Sequence, residues 1–305
     1  MNHHSTTTEY KCDDTIDQGG YADALHDCPH LATNTNTQYK HDNNIFTHQL
    51  FTPHNQCTQC DSSNELWLCL QCYRLYCSRY SNQHMLQHSN HNTAHSICCN
   101  LSDLSFWCYT CNSYIYYLTN IVLYNIYQKL HCLKFHEYSP QPIQLSIINT
   151  IYAPNDIYMH TQSITQFAVY GTLRTDDHTA SSWTEHFVAP AIHTVYGKIN
   201  YARLYQKSTN NFPYALQSTN MDDTITVQIL TYPLDIMADK LVEADEIENY
   251  SVDDEYNSEY IRRALYVHTI EHTYELCWIY FVNSRLYEIE WRLIDTGDWC
   301  QQHKI

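Results

Sequence analysis

Glycine is almost missing from this chain. Five occur in 305 residues, so a glycine kept inside an ordered stretch has a local reason to be there. Cations are also scarce: 16 Lys and Arg stand against 33 Asp and Glu, a formal net charge of −17. That balance excludes a general nucleic-acid binder, because phosphate recognition needs a basic face. A basic partner stays open, though only through weak steering. Long apolar runs are missing too. The most apolar stretch, "YIYYLTNIVLYNIY" from Tyr114 to Tyr127, is too short and too rich in tyrosine to cross a bilayer, which takes about 20 apolar residues. The opening "MNHHSTTTEYKCDD" holds no apolar run after a basic start, so no secretory signal is expected. The expectation is a soluble protein of the cytoplasm or nucleus that binds neither nucleic acid nor membrane.

Tyr, Asn, Thr, Ile and His are plentiful, which reads as coding bias. Cysteine is different. Of 14 cysteines, only Cys277 and Cys300 follow residue 140. In a reducing compartment such a cluster points to metal or free thiols ahead of disulfides. The chain is long enough for two domains, and Pro140 and Pro142 in "EYSPQPIQLS" mark a break. The expected organisation is a disordered polar tail over 1–25, a cysteine-rich domain over 26–138, a linker over 139–163 and a second domain over 164–305. No internal repeat is present.

In the first half, "YYLTNIVLYNIYQKLHCLKF" has apolar residues at helical spacing and is expected to close that domain. "NQHMLQH" also reads as helix, which puts His84 and His88 one turn apart on one face. In the second half, "QFAVYGTL", "TITVQILTY", "ALYVHTI" and "LCWIYFV" read as strands, with a helix at "PLDIMADKLVEADEI". The fold class is α+β.

Three CxxC pairs, Cys57/Cys60, Cys69/Cys72 and Cys108/Cys111, each offer two thiolates at chelating distance. Three tetrahedral zinc sites need twelve ligands. Cys28 and His30 of "CPH", with Cys77, His84, His88 and His95, complete that number. His91 rivals His95 for the last place, while Cys98 and Cys99 are left as spare thiols. The plainer alternative is a set of scattered core cysteines.

Together "CPHL…CTQC…ELWLCLQCYRLYCSRYSNQHMLQHSNHNTAH…DLSFWCYTCNSYIYY" resembles the UBP-type zinc finger, from about Cys28 to Phe135. That domain occurs in ubiquitin-specific proteases and in one class of histone deacetylase. The resemblance implies a compact fold with three zinc ions. It groups Cys28, His30, Cys108 and Cys111; Cys57, Cys60, Cys77 and His84; and Cys69, Cys72, His88 and His95. It also implies a narrow slot for the free C-terminal Gly-Gly of ubiquitin. Arg79 would hold the carboxylate or backbone by charge-assisted hydrogen bonds. Trp67, Trp107, Tyr109 and Tyr114 would form an aromatic wall against glycine backbone. Read without the resemblance, Arg79 is a solvated charge and the rings are core. One departure stands out: Ser78 replaces the glycine that the family often has before the arginine.

The second half resembles the γ-glutamylcyclotransferase-like (AIG2-like) family over about Gln166 to Trp299. The resemblance rests on "FAVYGTLR", "HTVYGKINYARLYQKSTNNFPYALQ", "DKLVEADEIENY", "EYIRRALYVHT", "ELCWIYFV" and "DTGDW", in that order. It implies a small mixed β-barrel with flanking helices. The implied reaction is attack of a γ-glutamyl α-amine on its own γ-carbonyl, which releases an amine and forms 5-oxoproline. Glu248 would be the acid–base group. Tyr170, Gly171, Thr172 and Leu173 would offer backbone N–H groups to the substrate carboxylate or oxyanion. Departures are Asn249 where the family has glycine, "RTDDHTASS" after the turn, and no glycine near "ITVQIL". Glu243, Glu246 and Glu248 also read as a solvated acidic face.

Two functions follow from these residues. One is a reader of the free ubiquitin C-terminus joined to a γ-glutamyl cyclotransferase acting on a small molecule or peptide. The other is a non-catalytic ubiquitin-binding protein whose barrel has lost its chemistry.

Overall fold

The computed structural model describes residues 24–31, 46–144, 146–154, 164–177 and 182–301. The tail expected over 1–25 falls almost wholly outside them. The chain divides into two compact units, 1–36 with 53–117, and 37–52 with 118–305.

The first unit holds five short strands: β1 (Leu66–Cys69), β2 (Leu75–Cys77), β3 (Ile97–Asn100), β4 (Phe106–Cys108) and β5 (Ser113–Ile115). They form one antiparallel sheet in the order β2-β1-β3-β4-β5. Helix α1 (His84–His91) lies between β2 and β3 in sequence. Strands of three or four residues bury little surface by themselves. A sheet this small needs another source of stability, and metal is the usual one.

Helix α2 (Ile121–Phe135) starts at Asn120, whose side-chain oxygen accepts from the backbone N–H groups of Val122 and Leu123. It belongs to the second unit, whereas the sequence reading made it the closing helix of the first half. The physical tie is Asn125. Its amide donates to the Tyr274 carbonyl at 2.7 Å and accepts from the Tyr274 N–H at 2.9 Å. Within the stretch expected as linker, Tyr152 exchanges two backbone hydrogen bonds with Ala264.

The rest of the second unit carries β6 (Gln166–Val169), α3 (Ser182–Val188), β7 (His193–Asn200), β8 (Ala202–Gln206), β9 (Pro213–Gln217) and β10 (Thr224–Thr231). Helix α4 (Met237–Ile247), β11 (Tyr260–Thr269), β12 (Tyr274–Val282) and β13 (Arg292–Leu293) follow. Five strands close a barrel in the order β10-β6-β12-β11-β7, and β13-β8-β9 form a separate sheet. The β6–β12 pair is parallel and every other barrel pair is antiparallel. This is the mixed barrel with flanking helices that the sequence implied.

Alternation along the strands sorts the apolar residues into two sets. Ala168, Val195, Val227, Val267 and Ile279 come one from each barrel strand and pack together with Trp299. They fill the barrel. Phe167, Leu230, Leu276 and Trp278 point the other way and pack with Phe187 of α3 and Ala244 of α4. This second layer fixes the helices on the outside. No helix among the described residues is long and apolar enough to cross a membrane.

Candidate functional site

The twelve Cys and His ligand candidates fall into three groups in the first unit. They are Cys28, His30, Cys108 and Cys111; Cys57, Cys60, Cys77 and His84; and Cys69, Cys72, His88 and His95. Within each group the donor atoms all lie within 4.8 Å of one another. Tetrahedral zinc with Zn–S near 2.3 Å places its sulfurs about 3.8 Å apart. The Cys28 and Cys111 sulfurs are 3.8 Å apart. His84 Nδ1 lies 3.3 Å from both Cys57 Sγ and Cys77 Sγ. His88 Nε2 and His95 Nδ1 approach to 3.0 Å, and each reaches a cysteine of its group at 3.5 Å. The donor sets, two Cys3His and one Cys2His2, suit zinc by softness and by number. Contacts of this length suit the edges of a tetrahedron of donors within each group.

Local structure explains the grouping. Helix α1 sends His84 and His88 out one turn apart, to different sites. His91, the rival for the last position, is exposed and its Nδ1 faces the Gln87 carbonyl at 2.6 Å. His95 takes the site instead. Cys98 is buried with its thiol toward the Trp107 carbonyl, and Cys99 is buried beside it. All described cysteines are free of disulfides.

Register places the aromatic residues. Trp67 pairs with Tyr76 and Asn100, Cys98 with Trp107, and Trp107 with Tyr114. Directly paired residues share a face, so Trp67, Trp107 and Tyr114 lie on one side of the sheet. The Tyr114 ring meets Trp107 edge-on at 4.8 Å, and Tyr109 lies 6.4 Å away. Arg79 lies over Trp107, its guanidinium carbon 3.6 Å from the ring centroid. Its Nη1 donates to Asn112 Oδ1 at 3.4 Å. The indole N–H of Trp107 is buried with no partner among the described residues. The sequence reading did not single out Asn112, which only the β4–β5 turn brings to the arginine. Ser78 is accommodated: its backbone is outside the left-handed region. Its hydroxyl donates to Glu65 at 2.5 Å and accepts from the Tyr80 N–H.

The second unit has a cavity of about 250 Å³ at one end of β6. Tyr170, Gly171, Thr172, Leu173 and Glu248 all line it. Phe212, Pro213, Glu259, Tyr260 and Tyr280 also line it, and sequence reasoning had assigned none of these five a role. Gly171 is required by close approach. A Cβ there would stand 2.8 Å from Pro213 Cγ. Tyr170 is buried and its hydroxyl donates to the Tyr280 carbonyl at 2.8 Å. Beyond the turn, Arg174 donates to both Asp176 and Asp298, which ties residues 174–176 to the end of the barrel chain.

Glu248 is the C-cap of α4. The Tyr250 N–H bonds the Asp245 carbonyl and the Asn249 N–H bonds the Glu246 carbonyl. That is the Schellman arrangement, which needs a left-handed residue next after the cap. Asn249 supplies it with φ +48°, since asparagine tolerates that region better than most side chains. The missing family glycine is thereby replaced in kind. Burial pushes the Glu248 carboxyl up to about 8, and the nearby Glu259 charge adds to the effect. Behind the cavity, Asp245 accepts from Arg262 at 2.5 Å and from Tyr280 at 2.6 Å.

Known proteins align with these two regions separately. Residues 57–120 match the model of the zinc finger in ubiquitin hydrolases and other proteins. Residues 167–301 match that of the AIG2-like gamma-glutamyl cyclotransferases. Over 84 residues the chain is 36% identical to histone deacetylase 6 of Caenorhabditis elegans, covering 28% of this chain and 8% of that protein. Over 79 residues it is 39% identical to the NAD-dependent deacetylase sir2A of Dictyostelium discoideum, covering 26% of this chain and 15% of that one. The chain thus spans less than a sixth of these relatives. Among solved structures, an AIG2-like protein from Mus musculus aligns with 43% of this chain and 83% of its own. It shows 19% identity and a TM-score of 0.31. The Escherichia coli protein c4763 aligns with 46% of this chain and 96% of its own, at 15% identity and a TM-score of 0.30. Cys28 and His30 lie outside the matched finger segment, yet they join Cys108 and Cys111 in one group. The chain thus resembles the UBP-type zinc finger over residues 57–120 and the AIG2-like gamma-glutamyl cyclotransferases over residues 167–301.

Proposed function

We propose that this protein reads the free ubiquitin C-terminus with its finger and converts γ-glutamyl amines or amides to 5-oxoproline in its barrel. The observation that carries the enzymatic half is the placement of Glu248. A carboxyl with a raised proton affinity opens on the same cavity as the turn Tyr170–Leu173. Ring closure is intramolecular, so positioning the γ-glutamyl chain is a large part of the work. The α-nitrogen attacks the γ-carbonyl carbon, a C–N bond forms and the bond to the leaving nitrogen breaks. Of the three ammonium protons one stays on the ring nitrogen, and two pass to the leaving amine, which departs as its ammonium ion. Glu248 takes a proton from the α-ammonium and returns one to the leaving nitrogen. Backbone N–H groups of the turn receive the α-carboxylate or the developing oxyanion. Phe212, Pro213 and Leu173 would supply apolar wall beside the carboxyl.

In the finger, three zinc ions would hold the short strands together and bear no part in chemistry. Arg79 would take the terminal carboxylate or glycine backbone, pre-stacked on Trp107 so that little freedom is lost on binding. Trp67, Tyr109 and Tyr114 would complete the slot. The buried indole N–H of Trp107 is a further donor for the same tail. The tests are release of 5-oxoproline from γ-glutamyl methylamide by the full chain, and binding to intact ubiquitin against ubiquitin lacking its last two glycines. The interaction-protein reading requires the first to fail and the second to succeed. The protein would work in the cytoplasm or nucleus, where free ubiquitin is present.

A further inference from the structure

Glu248 does not face the cavity alone. Glu259, one residue before β11, lines the same space from the opposite element. Its backbone is fixed on both sides: its N–H bonds the Asn249 carbonyl, and its carbonyl accepts from the Asn283 N–H. Among the described residues, no hydrogen bond or ion pair reaches the carboxylate of either glutamate. No lysine or arginine is among the described residues of the wall. Arg262, on the strand that follows Glu259, is already engaged by Asp245. The other titratable groups facing the pair are the phenols of Tyr170, Tyr260 and Tyr280, with Tyr214 beside Glu259. None of these supplies positive charge at neutral pH. Two ionised carboxylates lining one cavity repel each other, and either a proton on one of them or a cation between them relieves that repulsion.

We propose that Glu259 is a substrate-binding residue that, together with Glu248, clamps the α-ammonium of the γ-glutamyl group. This inference rests on the cyclotransferase reading and assigns the nitrogen end of its substrate. The cavity then orients the substrate by charge. The α-ammonium sits between the carboxylates, and the α-carboxylate turns toward the N–H groups of the Tyr170–Leu173 turn. Glu248 carries the proton, and Glu259 takes no part in its transfer. The negative neighbour also favours the protonated form of Glu248, which helps it accept a proton from an ammonium.

The test uses the full chain with Glu259→Gln and Glu259→Asp, γ-glutamyl methylamide as substrate, and glutaric acid monomethylamide as the analogue lacking the amine. In a Glu248→Gln background, expected to bind without turning over, the amine-bearing ligand should bind at least about tenfold more tightly than the analogue, as for one charge-assisted hydrogen bond. Adding Glu259→Gln abolishes that preference, while Glu259→Asp keeps most of it. In turnover, Glu259→Gln raises KM more than it lowers kcat, and it moves the acid limb of the pH profile to lower pH. If turnover is present but Glu259→Gln leaves KM and the amine preference intact, the clamp is wrong and the cyclotransferase reading survives. If no turnover occurs but the amine preference depends on Glu259, the clamp stands and the cyclotransferase reading falls. Absence of any amine preference in the Glu248→Gln protein overturns the clamp.

Discussion

Gly171 and Pro213 approach so closely that a Cβ on the glycine would lie 2.8 Å from the proline Cγ and 2.9 Å from its Cδ. The turn that lines the cavity is pressed against the first residue of β9. Gly171→Ala should therefore push the turn away from Pro213, at a cost of about 1–3 kcal/mol typical of overpacking. Release of 5-oxoproline should fall by tenfold or more, in line with the displacement of backbone donors (about 1.4 kcal/mol per factor of ten). Pro213→Ala removes both offending carbons, so the double variant should recover most of the loss. Steady-state kinetics and thermal melts of the three variants check this, and a lack of recovery would put the strain elsewhere.

Asn249 follows Glu248 in a left-handed conformation at φ +48°. Asn249→Gly should be neutral or slightly stabilising. Asn249→Val should cost roughly 1–2 kcal/mol and tilt Glu248 out of the cavity, because a β-branched residue fits that region poorly. Activity and melting temperature should fall together in the valine variant alone.

The raised Glu248 pKa also fixes how stability varies with pH. In the unfolded chain this carboxyl loses its proton near the usual 4.5, in the folded protein near 8. Between those values the folded state holds the extra proton, so this group's contribution to stability declines as pH rises from about 4.5 to about 8. Glu248→Gln removes the burden of burying an ionised carboxylate. Its melting temperature relative to the parent should thus be higher at pH 8 than at pH 5, by several degrees, since each unit of pKa difference is worth about 1.4 kcal/mol. A difference independent of pH would contradict the assigned shift.

The metal groups predict their own outcome. Mass spectrometry under native conditions should find three zinc ions per chain. Zinc in such sites contributes on the order of 10 kcal/mol of folding free energy, so a strong chelator should unfold the finger and leave the barrel's melting transition in place. Arg79→Ala should keep all three ions and weaken ubiquitin binding by about tenfold or more, as loss of a charge-assisted contact implies. Arg79→Lys should restore little, because a lysine does not stack flat on Trp107 or fork onto a carboxylate.

Much of this was legible in the residues. The CxxC spacings and the positions of His84, His88 and His95 mark the three Cys/His groups that the fold brings together, because chelation needs short fixed spacing. Choosing His95 over His91 was beyond the spacing alone. That choice depends on α1 running on to His91, which turns its ring outward. The strands of the barrel show in their alternation, whereas the three- and four-residue strands of the finger are too short to show a period. Glu259, Asn112 and Pro213 carried no local signal. Each enters its site through tertiary approach of a distant segment: the strand β11 entry, the β4–β5 turn, and the start of β9. Asn249 shows the reverse case, a departure from the expected glycine that is harmless once its φ is known.

The most direct measurement is the rate of 5-oxoproline release by the full chain from γ-glutamyl methylamide across pH 5 to 10, for the parent and for Glu248→Gln. The account predicts turnover that rises with pH as the Glu248 carboxyl, pushed up to about 8, loses its proton. It predicts a loss of at least a hundredfold in the variant, the lower range for removal of a general acid–base group. Turnover of equal size in the variant, or none in a folded parent protein, would contradict the catalytic assignment and leave the zinc finger as the functional part of the chain.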